Sequence, residues 1–259
     1  MENLAIASII WANKDLLNKL LGPSCVYLGD EFRDKIVRKG LENIGHILEK
    51  AYKKLRNKIE EPGKVNPRIL QSILTTGSFC EDELIQEYLA GALALSRTKD
   101  GTDDSVIGII KIIESLSSID LRLHYILYTS FYEKCKNQNI IIEDLNMLKS
   151  YSPFIPITEL KKEFFYESNV CMNSSNLLNS KNLIDFFGFD DTNPLEITFN
   201  RTTDDAGLIF TPTLLGIRLF FTLHGTDFSN NQIFKNPIDI NNDLSIDFNK
   251  VDILNLLSA

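Results

Sequence analysis

The sequence has few of the residues that build metal and redox sites, with only three histidines and four cysteines among its 259 residues. The histidines stand far apart, whereas a metal site needs ligands at close helical or loop spacing (His46, His124 and His224). The cysteines show no paired spacing and follow no secretory signal (Cys25, Cys80, Cys135 and Cys171). They predict reduced thiols in a cytoplasmic protein that holds neither a metal nor a cofactor.

Motifs of catalysis and nucleotide binding are also missing. The chain has no Gly-rich phosphate loop, no Rossmann glycine pattern, no paired-histidine motif and no Gly-x-Ser-x-Gly elbow. The best enzyme candidate is the acidic loop Asp100–Asp104, with His124 supplying acid-base chemistry. Because acids favour turns and helix N-termini, where they accept backbone N–H bonds, we interpret the loop as structural and predict that the protein is not an enzyme.

His124 lies between two apolar stripes of a predicted helix, one turn after Asp120. This placement predicts a buried imidazole held by a carboxylate. The same pair could be a base with its orienting acid, but no nucleophile lies at helical spacing from it.

Long hydrophobic runs are absent as well. The apolar start of the chain, Met1–Ala12, is too short to span a bilayer, and Glu2 stands where a signal peptide needs positive charge. We interpret it as a docking helix and predict no membrane association.

Charge is distributed unevenly along the chain. Residues 1–138 hold 19 Lys and Arg against 19 Asp and Glu, and residues 139–259 hold 8 against 16, so the net charge of -8 lies in the second part. The stretch Glu31–Arg68 is locally basic, and a candidate binding face lies on it (Arg33, Lys35, Arg38, Lys39, Lys50, Lys53, Lys54 and Arg56). Most such charge runs are solvated helix faces.

Helical periodicity dominates residues 1–138 and predicts a bundle. A long helix over Asp30–Glu60 is followed by one that Asn66 caps and Pro67 opens. Ser78 with Glu81 and Ser117 with Asp120 have capping-box spacing, and Ser105 is a further predicted cap. The last helix, running to Lys134, is apolar nearly all round and therefore belongs in the middle of its domain.

Residues 139–259 predict a smaller α+β domain with an Asn- and Asp-rich tail. Thr158 caps one predicted helix, and a short helix is predicted over Asn179–Phe187. Two strands, 195–199 and 208–210, then form a predicted hairpin before a helix that opens at Thr211-Pro212. This order is the outline of a winged-helix-like domain, so the fold class is mainly α, a helical bundle with a smaller α+β part.

Many short runs, in order, carry a resemblance to one family. They include Leu21-Gly22-Pro23-Ser24, Ile47-Leu48-Glu49-Lys50-Ala51, Val65-Asn66-Pro67-Arg68 and Tyr88-Leu89-Ala90-Gly91-Ala92. Over residues 20–135 the chain resembles the abortive-infection alpha (Abi-alpha) family of bacterial phage-defence proteins. The resemblance implies a cytoplasmic role in antiviral defence as one component of a system, and it brings no catalytic residues.

Two hypotheses about function follow. In the first, the protein is a non-enzymatic sensor or adaptor that binds a protein partner, an effector or a phage component, with self-association left open. In the alternative, it is a nucleic-acid-binding effector or nuclease that uses the basic face of residues 33–58 and the Asp100–Asp104 loop. Phosphate binding falls steeply with salt, whereas a protein interface need not.

Overall fold

The computed structural model describes residues 14–22, 38–136, 148, 150–163, 168–190, 206–227, 234, 238 and 244–254. The chain divides into two compact units, unit 1 (Met1–Ser118 with Phe221–Asp227) and unit 2 (Ile119–Phe220 with Phe228–Ala259). The described residues are mainly helical, and their strands are antiparallel. This confirms the mainly α class with a small β component.

Unit 1 contains five helices and a two-stranded ladder among the residues that are described. Their bounds are α1 Lys14–Leu21, α2 Arg38–Leu55 with a 3₁₀ helix Arg56–Glu60, β1 Lys64–Val65, α3 Pro67–Gly77, α4 Glu83–Leu95, β2 Arg97–Thr98 and α5 Ile107–Glu114. β1 pairs with β2, Val65 opposite Arg97. The segment Phe221–Asp227 packs on α4, since a methyl group at Gly91 would lie 1.9 Å from the Thr222 carbonyl oxygen.

The start of α3 is as the sequence predicts. The Asn66 side chain accepts a hydrogen bond from the Arg68 backbone N–H, and Pro67 occupies the first helical position. Proline costs nothing there because its missing N–H would have no partner within the helix. The long helix predicted over Asp30–Glu60 is observed from Arg38, with residues 30–37 outside the described part.

Two predicted caps are wrong. Ser78 does not open α4; its hydroxyl donates to the Thr75 carbonyl at the end of α3, and the Asp82 side chain accepts from the Ile85 N–H instead. A carboxylate placed immediately before the helix outcompetes the hydroxyl four residues upstream, since it also complements the helix dipole. At α5, Val106 takes the cap position without a side-chain bond, and Ser105 donates its N–H to Asp103.

Unit 2 is built around a four-stranded antiparallel sheet. Its described elements are α6 Ser118–Cys135, β3 Ser152–Pro156, α7 Ile157–Glu163, α8 Ser168–Ser180, β4 Ile184–Asp190, β5 Gly207–Pro212, α9 Leu214–Leu223, a 3₁₀ helix Phe248–Lys250 and β6 Asp252–Leu254. The strand order is β4-β5-β3-β6. α9 ends in unit 1, from Phe221 onward.

The helix predicted over Asn179–Phe187 is wrong. α8 ends at Ser180, Asn182 turns the chain with a φ of 57°, and the residues that follow form β4. The Asn179 amide donates to the Ile184 and Asp185 carbonyls and so fixes this turn. Aromatic residues are favoured in a strand that pairs with a neighbouring strand, and β5 is the neighbour of β4.

The predicted hairpin is only partly within the described residues. Its second strand is confirmed as β5, whereas 195–199 lies outside them. β5 runs through Pro212, so Thr211 and Pro212 do not open α9. Thr213 does, because its hydroxyl accepts the Gly216 N–H at 3.0 Å.

The helix predicted to be central to its domain is buried on all sides. Thirteen of the 18 residues of α6 are buried. From Ile119 onward this helix belongs to unit 2. The boundary between the units therefore differs from the predicted boundary at residue 138. Among the described residues, no helix is long and apolar enough to cross a membrane. The predicted docking helix Met1–Ala12 lies outside them.

Candidate functional site

The acidic loop of unit 1 uses its carboxylates to shape the turn. Asp100 accepts hydrogen bonds from the Thr98 hydroxyl and the Thr102 N–H, and bonds from Thr102 and Thr98 lower the pKa of Asp100. Asp103 accepts the Ser105 N–H at 2.8 Å. The Asp104 carboxylate lies 3.0 Å from the Arg68 guanidinium. Each carboxylate thus has a structural partner within the loop or on α3.

The candidate basic face is interleaved with acids where the structure describes it. Arg33 and Lys35 lie outside the described residues, and Arg38 is described only as the first residue of α2. Lys39 Nζ lies 2.5 Å from Glu81, and Lys53 Nζ lies 2.7 Å from Glu49. Arg56 is exposed at a φ of 49°.

The two remaining lysines of that face share one carboxylate. Lys50 Nζ lies 2.6 Å and Lys54 Nζ 2.5 Å from Glu87 on α4. Burial alone would raise the pKa of Glu87, but the two ammonium groups outweigh it and lower the pKa. The four described lysines therefore face three carboxylates, and the surface carries less net charge than the sequence of α2 suggests.

His124 is buried in unit 2 as predicted. Its Nε2 lies 3.1 Å from the Gly216 carbonyl oxygen, so Nε2 carries the proton, and its ring stacks on Tyr128 at 4.6 Å. Burial lowers the pKa of His124 to about 3, so the ring is neutral at physiological pH. The predicted partner Asp120 accepts a hydrogen bond from the Ser174 hydroxyl at 2.7 Å.

Tyr128 extends this polar network through the core of unit 2. Its hydroxyl donates to the Leu183 carbonyl at 2.5 Å and accepts the Thr213 N–H at 3.0 Å. The network thus ties α6 to the turns before β4 and α9. Because it is fully buried, it stabilises the fold and offers no atom to a substrate.

A buried carboxylate on α7 also has a structural explanation. Burial alone would raise the pKa of Glu159, but Lys162, the Asp247 N–H and Lys250 lower it to about 2. The Asp247 N–H lies 2.8 Å from the carboxylate, and Glu163, one turn later, accepts the Ser245 N–H. The two acids hold the segment 245–250 against α7.

Metal and thiol chemistry find no support in the described part of the chain. No group of three or more His, Cys, Asp or Glu side chains there could hold a metal ion. Three cysteines are free and buried (Cys80, Cys135 and Cys171), and burial raises the pKa of each thiol. Buried neutral thiols are poor nucleophiles.

A surface that sequence reasoning missed lies on α8 and β4. α8 carries no charged residue over Ser168–Ser180. Its exposed side chains include Met172, which is 39% exposed, and three asparagines (Asn169, Asn173 and Asn176). On β4, which α8 precedes, Phe186 is 54% exposed. We name these five residues the α8–β4 surface.

The signal for this surface was present in the sequence. A 13-residue stretch without a charge, rich in asparagine and followed by three phenylalanines, is unusual for a solvated helix face. The predicted helix over Asn179–Phe187 concealed this surface, because a strand turns alternate side chains outward and a helix does not.

Comparison of the chain with protein families, with curated proteins and with solved structures finds no match in any of the three. The resemblance to the Abi-alpha family therefore stays a prediction.

Proposed function

We propose that this protein is a non-catalytic component of a bacterial phage-defence system, an adaptor or sensor that binds a protein partner through the α8–β4 surface. The observation that carries the proposal is the chemistry of that surface, which combines exposed Phe186 and Met172 with amides and lacks charge on the helix. Interfaces between proteins are enriched in aromatic residues and methionine and depleted of charge at their centre.

The order of elements in unit 2 supports a winged-helix-like arrangement. α6, β3, α7 and α8 precede the antiparallel pair β4 and β5, and β5 also pairs with β3. In such an arrangement α8 is the helix that faces a ligand. Domains of this kind bind either DNA or protein, so the composition of α8 decides between the two ligands.

That composition favours protein. Binding to DNA draws most of its affinity from Lys and Arg that neutralise phosphates, and α8 contains neither. Asparagine can read adenine, but base contacts need phosphate contacts to position them. A surface of amide, thioether and phenyl groups instead suits a polypeptide.

The defence role rests on the resemblance over residues 20–135. It implies action in the cytoplasm, which the free, buried thiols also support, because oxidising compartments favour disulfides. The expected partner is an effector protein or a phage component.

The proposal is tested by expressing the protein in a bacterial host and measuring the plating efficiency of a phage panel. Met172→Asp and Phe186→Asp place a charge on the α8–β4 surface and should each abolish protection. Gln71→Glu, which adds one negative charge at an exposed site of α3 in unit 1, is the matched control and should protect fully. All three variants should melt close to the parent, because the replaced side chains are exposed.

Full protection by both α8–β4 variants would contradict the proposal. The nucleic-acid hypothesis predicts a different pattern, in which Lys53→Glu or Asp103→Ala with Asp104→Ala abolishes protection in a folded protein. It also predicts binding to double-stranded DNA that weakens steeply between 50 mM and 200 mM salt. We expect those variants to protect and no such binding.

A further inference from the structure

Phe79 of unit 1 is the most exposed of the large apolar side chains that the structure describes. It stands in the short connection between α3 and α4 and is 87% exposed. Its neighbours in the chain, Ser78 and Cys80, are both buried, so the backbone lies against the protein while the phenyl ring points outward. A single exposed apolar residue is ordinary on a protein surface. An argument for a binding role of Phe79 therefore has to come from the residues around it.

The connection is held in one conformation on both sides of the ring. The buried Asn43 amide donates to the Ser78 carbonyl at 3.1 Å, and the buried Gln86 amide donates to the Cys80 carbonyl at 2.9 Å. Backbone bonds from Ser78 to Leu74 and from Cys80 to Gly77 complete the turn. Two buried amides thus fix the residues that flank Phe79.

Such rigidity lowers the entropic cost of binding. Because the backbone is already fixed, binding has to order only the two side-chain torsion angles of Phe79, and aromatic side chains of this kind are common anchors at interfaces. Burying two amide side chains also costs free energy unless each finds a partner, and here both find it in the carbonyls beside Phe79.

The surroundings of the ring are acidic. Glu81, Asp82 and Glu83 follow in the chain, and all three are exposed. Lys39 pairs with Glu81 at the surface, which leaves the group with a net negative charge. A partner that approaches Phe79 therefore meets carboxylates at the rim of the contact, which favours Lys and Arg on the partner and repels anionic lipid or nucleic acid.

We propose that Phe79 anchors a second protein-docking surface, and that its occupant is a protein segment that combines large apolar side chains with Lys and Arg. This surface lies in unit 1 and is separate in sequence from the α8–β4 surface. A chain with two such surfaces can join two proteins, which is what an adaptor does. The inference therefore extends the proposed function but does not depend on it.

The test uses a yeast-displayed library of random 12-residue peptides. The library is selected for binding to the full chain, after peptides that bind the Phe79→Ser variant have been removed. The surviving peptides should combine Lys or Arg with large apolar residues. For synthetic copies of them, the affinity should fall about 30-fold or more on Phe79→Ser, the loss expected of an interface hot spot.

Matched measurements separate the anchor from simple charge attraction. Glu83→Lys should weaken binding, and the weakening should shrink at high salt. Peptides with serine in place of their apolar residues should bind at least tenfold more weakly. Phe186→Ser, which removes an exposed aromatic from the other surface, should leave the affinity unchanged. Melting curves of Phe79→Ser should match the parent because the ring is exposed.

If no peptide survives the selection, or if the survivors lack basic residues, the inference is wrong. The assay does not involve phage, so its failure leaves the proposed function standing as long as Met172→Asp abolishes protection. If Phe79-dependent peptides are found but neither α8–β4 variant loses protection, the proposed function is wrong and the inference stands.

Discussion

At the scale of single residues, Arg97 links several segments of unit 1 through hydrogen bonds. Its guanidinium donates to the backbone carbonyls of Lys19, Lys58, Ile59 and Glu61, at 2.5 to 3.4 Å. It thereby links the end of α1 with the 3₁₀ helix after α2. A guanidinium can do this because it presents five donors in a rigid fork, which an ammonium group cannot reproduce.

We expect Arg97→Lys to lower the free energy of unfolding by about 1–3 kcal/mol, because the three donors of an ammonium group leave at least one of the four carbonyls without a charged donor. Urea denaturation of the full chain measures the change. Arg68→Lys is the control, since the exposed Arg68–Asp104 pair contributes roughly 0–1 kcal/mol. Equal losses for the two variants would show that the fork geometry of Arg97 does not matter.

A second residue-scale prediction concerns pH. The pKa of His124 falls from 6.5 to about 3 on folding. Between pH 6.5 and pH 3, the unfolded state therefore binds a proton at this ring that the folded state does not bind. The stability that the neutral ring provides is complete above pH 6.5 and is lost as the pH falls toward 3. The expected slope is at most about 1.4 kcal/mol per pH unit.

His124→Gln tests that origin, since glutamine keeps an N–H donor for the Gly216 carbonyl but does not titrate. We expect its stability to depend less steeply on pH between 4 and 6 than that of the parent, in urea titrations at fixed salt. His224, whose pKa burial also lowers to about 3, should retain its own share of the slope. Unchanged pH dependence in His124→Gln would mean that the ring is not neutral when folded.

At the scale of elements, two helical glycines should respond in opposite ways to the same substitution. Gly108 lies on α5 with no atom within 4 Å of an added methyl group, whereas at Gly91 on α4 that group would lie 1.9 Å from the Thr222 carbonyl oxygen. Gly108→Ala should stabilise the protein by about 0.5–1 kcal/mol, because alanine reduces the freedom of the unfolded chain.

Gly91→Ala should destabilise it by roughly 3 kcal/mol or more, since a backbone carbonyl has to move to admit the methyl group. Thermal melts of both variants measure the two signs. A small effect at Gly91 would mean that the segment Phe221–Asp227 does not pack on α4 in solution.

Elements defined by local chemistry could be predicted from the sequence. The Asn66–Pro67 start of α3 needs only residues that are adjacent in the chain, and the position of α6 follows from its apolar residues on all sides. The β4 segment could not be predicted, because Phe186 and Phe187 fit a helix or a strand equally well and only the distant β5 decides. The prediction that Ser78 caps α4 was wrong for a related reason, because Asp82 is a second residue nearby that can cap the same helix.

In the candidate site, too, the sequence could predict the features that depend on neighbouring residues and not those that depend on distant ones. The sequence could identify the Asp100–Asp104 loop as turn chemistry and His124 as buried. It could not show that Lys50 and Lys54 share Glu87, since that pairing joins two helices about 35 residues apart in sequence. Exposure of Phe79 was equally hidden, because it depends on amides from α2 and α4.

At the scale of the whole molecule, neither unit is continuous in sequence. Unit 1 needs the late segment Phe221–Asp227, and α6 is buried within unit 2 although it precedes the predicted boundary at 138. We therefore expect a chain truncated after Asn137 to aggregate, since it would carry α6 without the later residues that it packs against, Phe210 and Phe220 among them, and α4 without its partner at Gly91.

Size-exclusion chromatography and thermal melting of the truncated chain, beside the full chain, test this expectation. If residues 1–138 formed a helical bundle with a core of its own, as the sequence predicts, the truncated chain would instead fold without the rest. A monomeric truncated chain with a cooperative melt would restore that prediction.

The segment Phe221–Asp227 also imposes an order on synthesis. A ribosome that has finished residue 118 must add 109 more before this segment exists (227 minus 118). At about 5–20 residues per second, the first helices wait roughly 5–20 s with the surface around Gly91 uncovered. During that interval the nascent chain is a substrate for chaperones and proteases, and slower translation would prolong its exposure.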